Sequence, residues 1–258
     1  MNTREQQLAA INRLLDIMDE LREKCPWDKK QTFESLRNLT IEEVYELGDA
    51  IIENDLNEIK KELGDVLLHI VFYAKIGSEK NAFDIADVAH SISDKLISRH
   101  PHIYGNEVVE TEEQVLQNWE KLKLKEGNKS VLGGVPKSLP AMVKANRIQE
   151  KARGVGFDWD DASQVWDKVQ EELIEFQDEV RLNDQNKMEA EFGDVLFSLI
   201  NYARFVNINP ENALERTNSK FIKRFQFLEE QVKLAGKKLE DMSLEEMDVY
   251  WNNAKKNF

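Results

Sequence analysis

Two sets of acidic residues recur in this chain at the same spacing. Glu42, Glu43, Glu46 and Asp49 are followed by Glu62 and Asp65, and Glu171, Glu172, Glu175 and Asp178 are followed by Glu191 and Asp194. On a helix, residues three and four apart share a face. Glu171, Glu175 and Asp178 therefore make one stripe, with Glu172 beside it, and Glu191 and Asp194 make another. If two helices pack with these stripes together, up to six carboxylates converge. Converging carboxylates repel, and without a cation some must stay protonated. A hard divalent ion resolves the conflict: all-oxygen ligation suits Mg²⁺, Mn²⁺ or Ca²⁺ and disfavours zinc. Mg²⁺ keeps several waters and commonly sits between carboxylates and substrate phosphates. A water held that way is a ready nucleophile. A di-iron bundle would need Glu-x-x-His on two helices, and Asp194 is followed by Val195, Leu196 and Phe197 instead. The plainer alternative is a pair of solvated, Glu-rich helix faces. It leaves unexplained why the acids interrupt apolar helices and return in register.

Cations and aromatics follow each acidic set in one order. Lys95 and Arg99, then Trp119 and Lys123, follow the first; Lys220 and Arg224, then Trp251 and Lys255, follow the second. Acids to hold a metal, cations to neutralise phosphate oxygens and a Trp to stack on a base or close the pocket are the parts a metal-bound nucleotide needs. The two sets are unequal. Lys168 stands four before Glu172 and Lys187 four before Glu191, whereas Leu39 and Glu58 occupy the matching places. The second set is therefore expected to be the main catalytic site.

Facing stripes require two antiparallel helices joined by a tight turn. Asn54-Asp55 and Asn183-Asp184 are turn dipeptides between helical patterns. In the first copy Ile41, Val44, Leu47, Ile51 and Ile52 mark one apolar face, and Leu63, Val66, Leu67, Ile70 and Ala74 another. Asn38 or Thr40 is expected to cap the first helix and Asp55 the second. Further helices are expected over about 82–99, 111–126, 141–152, 210–235 and 243–256.

The copies align at a constant offset of 129 positions, Glu42 on Glu171, without a gap through Tyr73-Ala74 on Tyr202-Ala203. Between them runs GNKSVLGGVPKSLP, whose glycines and prolines mark a connector. The expected organisation is a first unit over 1–126, a connector over 127–140 and a second unit over 141–258. The 258 residues hold only 11 Gly and 5 Pro, with 33% charged and 41% hydrophobic residues. That composition is short of turn formers and rich in helix formers, which points to an all-α protein. A formal net charge of −14 argues against tracking a nucleic-acid backbone or an anionic membrane. One cysteine, Cys25, excludes an intramolecular disulfide and suits a reducing compartment. With no apolar leader and no membrane-length run, a cytoplasmic protein is expected.

The pairs Glu42-Glu43-x-x-Glu46 with Glu62-x-x-Asp65, and Glu171-Glu172-x-x-Glu175 with Glu191-x-x-Asp194, resemble the EExxE…ExxD signature of MazG-type nucleoside triphosphate pyrophosphohydrolases. CPWD at 25–28, SRHPHIYG at 98–105, VGFDW at 155–159 and NSKFIKRF at 218–225 extend the resemblance over nearly the whole chain. It implies tandem all-α helical bundles, usually a homodimer, and Mg²⁺-dependent hydrolysis of a nucleoside triphosphate to monophosphate and pyrophosphate, in housecleaning of the nucleotide pool. Mn²⁺ is a possible substitute. By position, Glu172, Glu175, Glu191 and Asp194 would ligate the metal, with Glu171 as base or supporting carboxylate. Catalysis is thus expected from Glu171, Glu172 and Glu175. Lys168, Lys187, Lys220, Arg224, Trp251 and Lys255 would contact the nucleotide. Glu43, Glu46, Glu62 and Asp65, with Lys95, Arg99, Trp119 and Lys123, make a second possible site. A nucleotide-sensing module without turnover and a plain helical scaffold are the rival readings.

Overall fold

The computed structural model describes residues 1–106, 111, 114–115, 118 and 130–257. Every long element among them is a helix, and none of the described residues lies in a strand. The chain divides into two compact units, Met1–Val109 and Glu110–Phe258. Of the expected connector, residues 130–140 are described; they form turns and bends that lead into the next helix.

In unit one, α1 (Arg4–Lys24) precedes a 3₁₀ turn (Asp28–Lys30) and the hairpin α2 (Phe33–Glu53) and α3 (Leu56–Glu79). Helices α4 (Ile85–Arg99) and α5 (Pro101–Tyr104) follow. Unit two has α6 (Ala141–Arg153), the hairpin α7 (Ala162–Leu182) and α8 (Gln185–Phe205), then α9 (Pro210–Leu234) and α10 (Leu244–Ala254). Within each unit the two hairpin helices pack together; α1 and α4 lie on α3, and α6 and α9 lie on α8.

The hairpins turn identically. Asn54 and Asn183 both take the left-handed conformation at φ 57°, which ends the first helix and which Asn tolerates better than other residues with a Cβ. Asp55 and Asp184 then cap the second helix: Asp55 Oδ1 accepts from the backbone N–H of Asn57 and Glu58, and Asp184 Oδ1 from that of Lys187. The first hairpin helix starts earlier than its apolar pattern suggests. Thr32 caps α2 in a reciprocal capping box with Ser35. The expected caps, Asn38 and Thr40, lie inside the helix. Thr40 Oγ1 instead donates to the Leu36 carbonyl and lies 2.8 Å from His69 Nδ1 and 2.6 Å from the Tyr73 hydroxyl. The core beneath α2 and α3 is Met18, Leu36, Val71, Phe72 and Ile76. In unit two Val165, Val169, Val195 and Ile200 are buried on the corresponding faces. The expected helix over 111–126 lies largely outside the described residues.

Candidate active site

Each hairpin brings three carboxylates together across its two helices. Glu43 and Glu46 on α2 meet Glu62 on α3, and Glu172 and Glu175 on α7 meet Glu191 on α8. In each trio the ligand oxygens all lie within 4.8 Å of one another. The trios occupy identical places in the repeat. Asp65 and Asp194 stand one turn further along, outside both trios. Their charges still act there: burial, then Asp65, Glu46 and Glu62, hold the Glu43 carboxyl above its ordinary value. Partial burial, then Glu175, Asp194 and Glu172, do the same for Glu191. Glu42 and Glu171 are exposed beside the trios, as are Asp49 and Asp178.

Burial makes these charges costly. Glu62 is 3% exposed and Glu172 6%, and a buried carboxylate needs a partner. Lysine supplies one in each unit, from opposite helices. In unit two Lys168 lies one turn before Glu172 on α7 and donates to Glu171 at 2.9 Å and to Glu172 at 2.8 Å. In unit one Lys61 on α3 donates to Glu62 at 2.8 Å and Glu58 at 3.3 Å. These hydrogen bonds, to Glu172 and to Glu62 foremost, hold both ammonium groups above the ordinary lysine value. Glu62 Oε2 remains buried without a hydrogen-bond partner. Converging oxygens, some buried and one unsatisfied, form an all-oxygen donor set that fits a hard divalent cation.

The remaining expected residues lie on other elements. Lys220 is exposed and Arg224 half-buried on α9, which packs on α8. Trp251 on α10 is half-buried, its ring 4.9 Å from that of Phe221 on α9 and tilted by 52°. Lys255 is exposed and donates to Asn252 Oδ1. Lys187, in the first turn of α8, lies 3.7 Å from Glu179. In unit one Lys95 is exposed and Arg99 ends α4; Trp119 and Lys123 lie outside the described residues.

Two charged residues escape a motif-led reading. Lys61 neutralises Glu62 from the adjacent position, where residues one apart on a helix are not expected to meet. Glu179 stands one turn beyond Glu175. Aligning the copies hides it, because its counterpart is Ala50; the 4-3-4 spacing of Lys168, Glu172, Glu175 and Glu179 was the available signal.

Comparison with known proteins bears on both hairpins. The model of the MazG nucleotide pyrophosphohydrolase domain matches residues 31–104 and again residues 162–226. The nucleoside triphosphate pyrophosphohydrolase/pyrophosphatase MazG of Thermotoga maritima is 44% identical over 247 residues, 94% of either chain. The nucleoside triphosphate pyrophosphohydrolase of Escherichia coli K12 is 42% identical over 255 residues, 95% of this chain and 97% of that one. The solved structure of a mazG-related protein from Thermotoga maritima covers 44% of this chain at a TM-score of 0.39 and 26% identity. Matched once in each repeat, and along nearly the full length of these relatives, the chain belongs to the MazG nucleotide pyrophosphohydrolase family in tandem form.

Proposed function

We propose that the chain hydrolyses nucleoside triphosphates to the monophosphate and pyrophosphate, that it requires Mg²⁺, with Mn²⁺ able to substitute, and that unit two is the main site. The carrying observation is the Glu172–Glu175–Glu191 trio, buried at Glu172 and paired there with Lys168. The names of the relatives point to the same reaction. Glu172, Glu175 and Glu191, with Asp194 behind them, would hold the cation. Held by these carboxylates, a divalent cation would supply Lewis-acid polarisation of phosphate oxygens and a more acidic water.

The chain's own groups do the rest. Lys168, Lys187, Lys220 and Arg224 offer positive charge to the phosphates and to the charge that develops as the bond to pyrophosphate breaks. Glu171, exposed beside the trio, accepts a proton from the water that attacks the α-phosphorus. Trp251 and Lys255 face the nucleoside end. Unit one, with Glu43, Glu46, Glu62 and Asp65 and with Lys95, Arg99, Trp119 and Lys123 following, is a second and weaker site. The proposed extents are 1–126 and 141–258, joined by 127–140. The proposed setting is a homodimer in the cytoplasm, clearing unwanted nucleotides from the pool without acting on nucleic-acid polymers or membranes.

The test is pyrophosphate release from a panel of ribo- and deoxyribonucleoside triphosphates, with and without Mg²⁺. Glu172→Gln/Glu175→Gln should lose at least about 3 kcal/mol of transition-state stabilisation, roughly a hundredfold in rate. Glu43→Gln/Glu46→Gln should keep most of the activity. Run in ¹⁸O-water, the reaction should label the monophosphate; label in pyrophosphate would place the attack elsewhere. Tight nucleotide binding with no release from any substrate would replace the enzyme by a sensing module.

A further inference from the structure

Positions 168, 172, 175 and 179 share one face of α7, at spacings of four, three and four. In unit two they read Lys168, Glu172, Glu175 and Glu179; in unit one the matching places read Leu39, Glu43, Glu46 and Ala50. The middle carboxylates belong to the trio in both units. The ends differ. Leu39 packs on the unit-one core and Ala50 is buried, so that stripe is closed at both ends by apolar residues. In unit two it is continued by charge.

At the far end Glu179 lies 3.7 Å from the Lys187 ammonium, across the Asn183-Asp184 turn. The Glu179 side chain is only 17% exposed, and its second oxygen, Oε2, is buried without a hydrogen-bond partner. Its charge is felt at Glu191, whose carboxyl it helps to raise. The positions matching Glu179 and Lys187 in unit one are Ala50 and Glu58. The pair is present whole in one unit and missing whole in the other.

Helix electrostatics speak against a stabilising role. Glu179 sits in the last turn of α7, where the macrodipole is negative, and Lys187 in the first turn of α8, where it is positive. Each charge is opposed by its own helix. Unit one follows the rule at the matching first turn, with the acidic Glu58 in α3, although Glu53 ends α2. A half-exposed ion pair at this distance contributes little stability. A cation stands in the first turn of α8 where unit one places an acid; that local rule, broken in one repeat and kept in the other, marks a functional device.

We propose that Glu179 is a positioning residue: it holds the Lys187 ammonium at the rim of the Glu172–Glu175–Glu191 trio, where the ammonium meets phosphate oxygens of the substrate. This rests on the reading of unit two as a triphosphate site. A free lysine loses rotamer freedom when it engages a phosphate, and an ammonium already held by Glu179 loses less. The effect therefore belongs to phosphate binding and not to bond breaking.

The experiment compares the full-length wild type with Glu179→Gln, Lys187→Met and the double variant. It reads pyrophosphate release, melting temperature and calorimetric binding of inorganic tripolyphosphate with Mg²⁺. Glu179→Gln should raise both KM and the tripolyphosphate Kd about five- to tenfold, with kcat within about twofold and an unchanged melting temperature. Lys187→Met should raise KM comparably, and the double variant should be no worse than Lys187→Met alone, because both act through one contact. Additive losses overturn the proposal. So does a shift confined to the Mg²⁺ concentration required, which would make Glu179 a metal ligand, or a lowered melting temperature with kcat and KM moving together. If the wild type releases no pyrophosphate, the reading of unit two falls. The tripolyphosphate measurement still decides the pair, and equal affinity in wild type and Glu179→Gln overturns it.

Discussion

At the residue scale, protons and divalent cations compete for the same oxygens. Glu43 and Glu191 are both held above the ordinary carboxylate value, first by burial and then by neighbouring acids. A carboxyl whose folded value is raised adds stability at low pH, and that stability is lost as pH rises through the raised value. A divalent cation binds the deprotonated form and reverses the trend. The expected outcome is a Mg²⁺-induced rise in melting temperature that is small near pH 5 and grows toward pH 7.5. Titration by scanning fluorimetry at several pH values checks it. A rise that is flat with pH would mean that the cation does not use these carboxylates. The Glu172→Gln/Glu175→Gln protein should lose most of the unit-two contribution. The six acids of each hairpin were legible in the sequence from helix spacing and the repeat, but not which three meet. Spacing put Glu171, Glu175 and Asp178 on one stripe, whereas Glu172, Glu175 and Glu191 converge and Glu171 and Asp178 stay exposed. Nor was Lys61 legible, because its contact with the neighbouring Glu62 depends on a long, flexible stem reaching around the helix rather than on spacing.

At the element scale, the hairpin turn fixes which carboxylates meet. Asn54 and Asn183 close the first helix at φ 57°, and a residue with a Cβ pays about 1–2 kcal/mol there unless its side chain eases the strain. Asn183→Ala should therefore destabilise unit two by about 1 kcal/mol, while Asn183→Gly should cost close to nothing, since glycine adopts that conformation freely. Urea unfolding of both variants tests this. Equal losses would show that the Asn side chain, not the backbone conformation, matters. The turn dipeptides, the Asp caps and the pairing of helices were all readable from the sequence. The start of α2 was not. Thr32 and Ser35 form a capping box before the apolar pattern becomes regular, so periodicity placed the cap too late. Thr40 looked like a cap residue and serves instead as the centre of a half-buried contact with His69 and Tyr73. Burial lowers the His69 value against the pull of Asp65. Unit two has Val169 and Ser198 at the matching places. The repeats thus share helix geometry while differing in how the space behind the trio is filled.

At the scale of the whole molecule, the repeats share one more property. Five matching positions carry exposed apolar side chains in both hairpins: Val44 and Leu173, Tyr45 and Ile174, Ile51 and Val180, Leu63 and Phe192, Ile70 and Leu199. Ile174 is 59% exposed and Tyr45 56%. A single exposed apolar residue needs no explanation, but a recurring set on one structural unit marks a surface that is covered by something. The proposed homodimer supplies that cover. In a two-fold interface each substitution acts on both sides, so Ile174→Asp should remove apolar burial twice and weaken association by about 3 kcal/mol, roughly a hundredfold in Kd. The protomer itself should stay folded, because Ile174 contributes little to its own core. Sedimentation equilibrium of the wild type should give about twice the 30.0 kDa chain mass, and Ile174→Asp should shift the population toward 30.0 kDa without loss of helical circular dichroism. A wild type that sediments as a single chain at micromolar concentration would remove the homodimer. The exposed hairpin faces would then belong to a different partner.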